Sequence, residues 1–394
     1  MPPPWQAPSE VEQKLYEAKA RGDWAAYFDV LAGANLFHAM PREYADSHPG
    51  RVKVGSYWEP RLGRECYAFL THGVLPAPVE NPVFFTDDLE GVAGFWPEPD
   101  VWLAINPGTP CEAFFPATPA HRAVWKEHAQ RAAKDTSKSL HTLWVGGPLR
   151  GRVAHGLACG ALLTVRSGYP WNAIAANGSY ASLRRNLKDW WDITSREDWR
   201  RRQASLLQES GSPWEFVLEI RQAIARQYGG AVDPGHWREV TARVMRRDAT
   251  NATSDNGNDN DDGNDVEAEI RRLQQLIGRI TRYEARFRAD GLLGESKQVR
   301  SVNAWYFGRA VNMARWGVQA RYCGIPEAEA AIIRASELGQ ASYHSWEDFS
   351  AGFILGRCLH FDEEQFGDWY LDVLEVHRLL VTDPQSPWLN IPWK

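Results

Sequence analysis

A chain of 394 residues with 44% apolar content can bury a large core, and its length favours two or three domains, of which two are expected. The formal charge of -6 and a pI near 6.0 leave no global basic excess to neutralise a phosphate backbone, so generic nucleic-acid binding is not expected. Cys66, Cys111, Cys159, Cys323 and Cys358 lack CxxC spacing, which argues against a disulfide framework or a zinc knuckle and fits a reducing compartment.

The opening MPPPWQAPSEVEQKL has no charged region followed by an apolar run, and no stretch is apolar over a bilayer's width. Neither export nor a membrane partner is expected, and a cytoplasmic location is. Apolar residues recur at helical spacing over 9–20 and 23–33, and Asp23 is placed to cap the second run, so the chain is expected to open with a helical hairpin. From Asn35 the pattern becomes short extended runs, NLFHAM, ECYAFLTHG, PVFFTD, VWLAINPG and CEAFFPA, bounded by turn-forming residues. INPGTPCEAFF reads as strand, tight turn, strand, because Pro107 fixes φ and Gly108 tolerates positive φ. His121 to Arg131 returns to helix.

Within this stretch FFTDDLEGVAGF followed by VWLAINPGTPCEAFFP resembles the SseB N-terminal-like domain of bacteria. A phrase similar to "FTs" precedes a helix in that family and an "NPg" turn joins two late strands, matched here by Phe85 to Asp87 and Asn106 to Gly108.

KDTSKSLHTLWVGGPLRGR, residues 134–152, shows no sustained periodicity and is expected to link a first domain, 1–133, to a helical second domain, 153–394. Val153 to Val165 reads as a buried helix, and Thr194 with Glu197 has the spacing of a capping box. Residues 248–266 form an acidic, Asn-rich tract with almost no apolar surface, expected to be a disordered insertion. Asn258, Asn260, Asp262, Gly263 and Glu269 nearly satisfy a calcium loop. Asn in place of the first Asp, and the lack of an entering helix, favour the inert linker.

Ser301 to Phe361 reads as three helices rich in large aromatics interleaved with Arg309, Arg315 and Arg357. Their phrases SVNAWYFGRAVNMARWGVQARYCG, IPEAEAAIIRASELGQ and SWEDFSAGFILGRCLHF, with the upstream GYPWNAIAANGSYASLRRNLKDWWDITSREDW, resemble the bacterial domain-of-unknown-function family 1266. Tyr306 stands where that family's phrase, similar to "aWDlgR", carries an acidic residue, so a role needing a carboxylate there does not transfer.

Trp305, Arg309, Met313 and Trp316 share one helical face. Arg309 is expected to stack there as a structural cation, with contact to a bound anion as the alternative. Ser345 and Asp348 have capping spacing, and Gly352 and Gly356, four apart, are expected to admit a close neighbour. Gly356–Arg357 echoes Gly308–Arg309, which leaves open two arginines converging on one anionic group. Glu364, Asp368 and Asp372 read as a solvated carboxylate stripe, with a metal or general-base site near His360 or His377 as the alternative, and most of the 19 tryptophans read as core. HExxH, GxSxG, Walker and GxGxxG signatures are absent.

The expectation is therefore an α+β chain, a mixed N-terminal domain followed by a mainly helical one, working without a cofactor as a non-catalytic protein-interaction or regulatory module. The two resemblances imply bacterial conflict- or secretion-associated settings and a protein partner. The alternative is an enzyme acting on an anionic small molecule or nucleotide, with Trp305, Arg309 and Arg357 lining its pocket.

Overall fold

The computed structural model describes residues 5–48, 54–71, 82–132, 140–143, 147–174, 180–208, 211–256 and 262–394. They divide into two compact units, Met1–Gln203 with Asn312–Ile332, and Ala204–Val311 with Ile333–Lys394.

The first unit opens with α1 (Glu10–Ala20) and α2 (Trp24–Ala32), the expected hairpin, and the Asp23 carboxylate accepts from the Ala26 amide as its cap. Then come β1 (Leu36–Pro41), α3 (Arg42–Ser47), β2 (Ser56–Glu59), β3 (Arg64–Thr71), β4 (Pro82–Asp87), α4 (Leu89–Gly94), β5 (Trp102–Ile105), β6 (Ala113–Phe115) and α5 (Pro119–Arg131). The strands form one mixed sheet in the order β4-β1-β3-β5-β6, antiparallel except for the parallel β3–β5 pair. Strand β3 is long enough to pair with β2 along its start and with β1 at its end. Strand alternation divides the side chains between two cores: Leu36, Tyr67, Phe69, Leu103 and Ile105 meet Leu15, Tyr27, Leu31, Trp96 and Trp125, whereas Phe37 and Leu70 meet Leu143 and Ala173. The expected turn between β5 and β6 is present, with Asn106 at φ 47 and Gly108 at φ 79. Asn106 also joins the strand ends, its Oδ1 accepting from the Thr71 amide at 2.8 Å. Helix α3 and strand β2 went unread in the sequence, since REYADS and SYWE are too short to show a period.

The same unit continues with α6 (Gly151–Cys159), α7 (Ala161–Arg166), α8 (Tyr180–Trp191) and α9 (Arg196–Leu206), the last of which passes into the second unit at Ala204. Of the expected linker, residues 134–139 and 144–146 lie outside the described residues, and α6 begins at Gly151. The capping box ahead of α9 sits one residue later than expected, because Ser195 Oγ accepts from the Asp198 amide while the Asp198 carboxylate accepts from the Thr194 and Ser195 amides. The hydrogen bond with the Ser195 hydroxyl leads in holding the Asp198 carboxyl down to about 2. A carboxylate one methylene shorter than Glu closes the same box.

The second unit carries α10 (Pro213–Tyr228), α11 (Pro234–Asn256), α12 (Asp262–Ala289), α13 (Asn303–Gln319), α14 (Ile325–Ser342), α15 (Trp346–Phe361), α16 (Asp368–Thr382) and α17 (Pro387–Asn390), of which α13 and α14 also supply the 312–332 segment of the first unit. The tract read as a disordered insertion is helical at both ends, α11 reaching Asn256 and α12 starting at Asp262, and residues 257–261 lie outside the described residues. The buried indoles behave as packing groups whose N–H finds an acceptor: Trp237 donates to Val217 O, Trp346 to Ile391 O and Trp393 to Tyr343 O. All five cysteines are buried and none forms a disulfide. Among the described residues no helix is long and apolar enough to cross a membrane.

Where α15 meets α16, Ser350 Oγ and His377 Nδ1 lie 2.8 Å apart, both buried. Burial pushes the His377 imidazole down to about 4, with lesser opposing effects of Glu347 and Arg378, so the folded ring stays neutral where an unfolded one near 6.5 takes a proton. The unfolded state binds more protons in that window, and stability falls as pH drops through it. By pH 5.5 the loss attributable to His377 should reach about 1.4 kcal/mol relative to pH 8. Urea unfolding of the wild type and of His377→Gln at the two pH values checks this, and identical pH slopes would refute it.

Candidate functional site

Three sequence-selected residues, Trp305, Arg309 and Arg357, come together in the second unit. Trp305 on α13 is only 3% exposed because α15 lies hard against it, and a Cβ added at Gly356 would stand 2.6 Å from the Trp305 Cβ. The helix glycines are therefore packing devices, as their spacing implied. Edge contacts with Phe353 at 5.1 Å and Phe361 at 6.0 Å fix the indole plane. One turn on, the Arg309 guanidinium lies 4.9 Å over the Trp305 ring.

Arg357 is 2% exposed and sits 4.9 Å from the Trp369 ring, 5.7 Å from Phe361 and 5.9 Å from Trp305. Its Nε donates to the Trp369 carbonyl at 3.0 Å, tying α15 to the first turn of α16. Outside this buried cation, Phe361 and Trp369 stack at 4.6 Å with planes 16° apart, yet remain 36% and 43% exposed. His360 stands edge-on to Phe361 at 4.4 Å and reaches Trp214 of α10 at 6.0 Å. Desolvation, then the Arg309 charge, lowers the His360 pKa, so the imidazole is neutral near pH 7. Among the described residues the buried Trp305 indole N–H has no acceptor.

The geometry can hold an aromatic pair rigidly at the surface above a buried guanidinium. Phe361 and Trp369 were not singled out as a pair because they lie at the end of α15 and the start of α16, and no single helical period relates them, while His360 was weighed only as a metal or general-base neighbour of the carboxylate stripe. Their legible signal was aromatics on both sides of a turn containing DEE and Gly.

The rest of the expected face is divided. Trp316 packs edge-on against Trp191 at 6.0 Å. Arg315, also on α13, belongs to the first unit, where its Nη atoms donate to Thr164 Oγ1 at 2.7 Å and to the Pro170 carbonyl at 3.0 Å. Burial pulls that guanidinium down to about 10. Of the calcium-loop candidates, Asn258 and Asn260 lie outside the described residues, Asp262 opens α12, and Glu269 pairs with Arg272 at 3.2 Å. No group of three or more His, Cys, Asp or Glu among the described residues is placed to hold a metal ion. The carboxylate stripe loses one member, since Glu364 lies in the turn before α16 and pairs with Arg282 at 2.5 Å.

A family model described as "Protein of unknown function (DUF1266)" matches residues 186–393, more than half of the chain and all of the site just described. No curated protein and no solved structure matches the chain.

Proposed function

Because the chain belongs to the protein-of-unknown-function family DUF1266, whose description carries no activity, we propose its role from its own surface: a non-catalytic module that docks a protein partner on the Phe361–Trp369 stack. The observation that carries this reading is a stacked aromatic pair left more than a third exposed while the cation beneath it is buried and bonded to the Trp369 backbone. Tryptophan and arginine lead among residues that dominate interface energetics. A surface aromatic pair already ordered before binding avoids much of the entropy cost of association.

Trp369→Ala is the test, since truncation leaves the backbone carbonyl that Arg357 uses; loss of the ring over that guanidinium should lower the melting temperature only modestly, with the fold retained. Quantitative capture from native extract with tagged full-length wild type should recover a partner that Trp369→Ala and Phe361→Ala each lose by roughly tenfold or more. Equal recovery by folded variants would sink the proposal.

The finer assignments belong to the same proposal. Residues 1–133 form an SseB N-terminal-like domain, a reading supported by β4 running into α4 and by the Asn106–Gly108 turn joining β5 to β6. The setting is the cytoplasm of a bacterium. The reading of Trp305, Arg309 and Arg357 as a substrate pocket is weaker, because the Arg357 guanidinium is engaged by aromatic faces and a carbonyl.

A further inference from the structure

Helices α11 and α12 meet beside Gly278, a buried residue in the middle of α12 with no side chain of its own. A Cβ placed there would lie 3.2 Å from Arg238 Nη2 of α11 and 3.2 Å from Arg282 Nη1, one turn further along α12. The two guanidinium groups therefore flank one point. Arg279 joins them, its Nε 3.8 Å from a carboxylate oxygen of Glu364. Together with the Gln274 and Gln275 side chains these residues line an open cleft of about 470 Å³.

The charges in the cleft do not cancel. Arg282 holds Glu364 through its Nε at 2.5 Å and its Nη2 at 2.9 Å. Arg238 donates through Nε to the Gln274 carbonyl at 3.3 Å, and among the described residues it forms no ion pair. Three guanidinium groups thus face one carboxylate, in a chain whose formal net charge is -6. Converging like charges are costly unless an anion joins them. A phosphate monoester carries close to two negative charges at neutral pH and offers three oxygens to guanidinium forks.

The turn that delivers Glu364 is strained. Glu363, Glu364 and Phe366 have φ of 49, 63 and 51, a left-handed run without glycine. The Asp362 carboxylate holds it by accepting from the Phe366 and Gly367 amides at 3.0 and 3.1 Å and from the Tyr283 hydroxyl at 2.9 Å. The Glu364 amide in turn donates to that hydroxyl at 2.7 Å. Backbone strain held in place by its surroundings clusters at functional sites.

We propose that this cleft binds a phosphorylated small molecule, with Arg238, Arg279 and Arg282 on the phosphate and Gln274 and Gln275 on the polar body, while Glu364 competes with the phosphate for Arg282. The cleft exceeds what inorganic phosphate fills and lies within the usual range of small-molecule sites.

The test uses the full chain at fixed ionic strength, titrated with inorganic phosphate, ribose 5-phosphate and ribose, followed by melting temperature and calorimetry. Ribose 5-phosphate should raise the melting temperature saturably, phosphate more weakly, and ribose not at all. Arg238→Gln should weaken ribose 5-phosphate binding about tenfold or more, and Arg279→Gln serves as a second removal of charge. Glu364→Gln should tighten binding about tenfold, the outcome that a mere ionic staple would not give. Overturning results are no saturable effect from either phosphate compound, equal affinity in folded Arg238→Gln, or binding confined to an oligonucleotide with both small probes inert.

Discussion

Glu284→Ala is expected to cost the second unit about 3–5 kcal/mol, among the largest effects of any single substitution in the chain. Glu284 and Arg221 are 3% and 4% exposed and meet in a two-pronged pair, Nη1 to Oε2 at 3.1 Å and Nη2 to Oε1 at 2.8 Å. The carboxylate also accepts from the Val299 amide at 2.7 Å, while the guanidinium donates to the Val299 carbonyl and lies 4.4 Å over Trp237. Removing the carboxylate strands a buried cation and a buried amide together. Far-UV circular dichroism during urea unfolding reads the loss. Arg221→Met combined with Glu284→Leu should recover a large part of it, because replacing both charges removes the desolvation penalty. A single substitution with the wild-type midpoint would show that the pair does not matter to the fold.

Gly352→Ala is expected to be destabilising by about 3 kcal/mol, although the same change in an open helix gains about 1 kcal/mol. Space decides the sign. The new Cβ would lie 2.5 Å from the Ser301 carbonyl oxygen and 2.8 Å from the Tyr343 hydroxyl. That hydroxyl donates to Ser301 O at 2.9 Å and accepts from the Ala304 amide at 2.8 Å, so it cannot retreat without leaving the first turn of α13 unsatisfied. Gly94, with no atom within 4 Å of its added Cβ, is the control, and Gly94→Ala should be neutral or slightly stabilising. Thermal unfolding of both variants checks the pair, and a Gly352→Ala protein as stable as wild type would refute the close approach of α15.

Local signals read well wherever one element carried its own evidence. The α1–α2 hairpin, the strands β1, β3, β4, β5 and β6, the Asn106–Gly108 turn and the Ser345 cap of α15 each follow from a few adjacent residues. The cap ahead of α9 was displaced by one residue, because Thr194 and Ser195 are equally good acceptors and only the reach of Asp198 separates them. The interior glycines of α15 announced a close neighbour through their cost to a helix, but not which atoms would fill the space.

Sequence alone determined the fold class, the family relationship and the meeting of Trp305 with Arg309, which lie one helical turn apart. Tertiary structure alone decided the exposed Phe361–Trp369 stack, the Arg221–Glu284 pair and the gathering of Arg238, Arg279 and Arg282 around Gly278. The physical reason is range. Propensity, capping and periodicity act over a few residues, whereas burial and charge pairing depend on where separate helices come to rest, and no period in the chain encodes that Arg238 and Glu364 share one cleft.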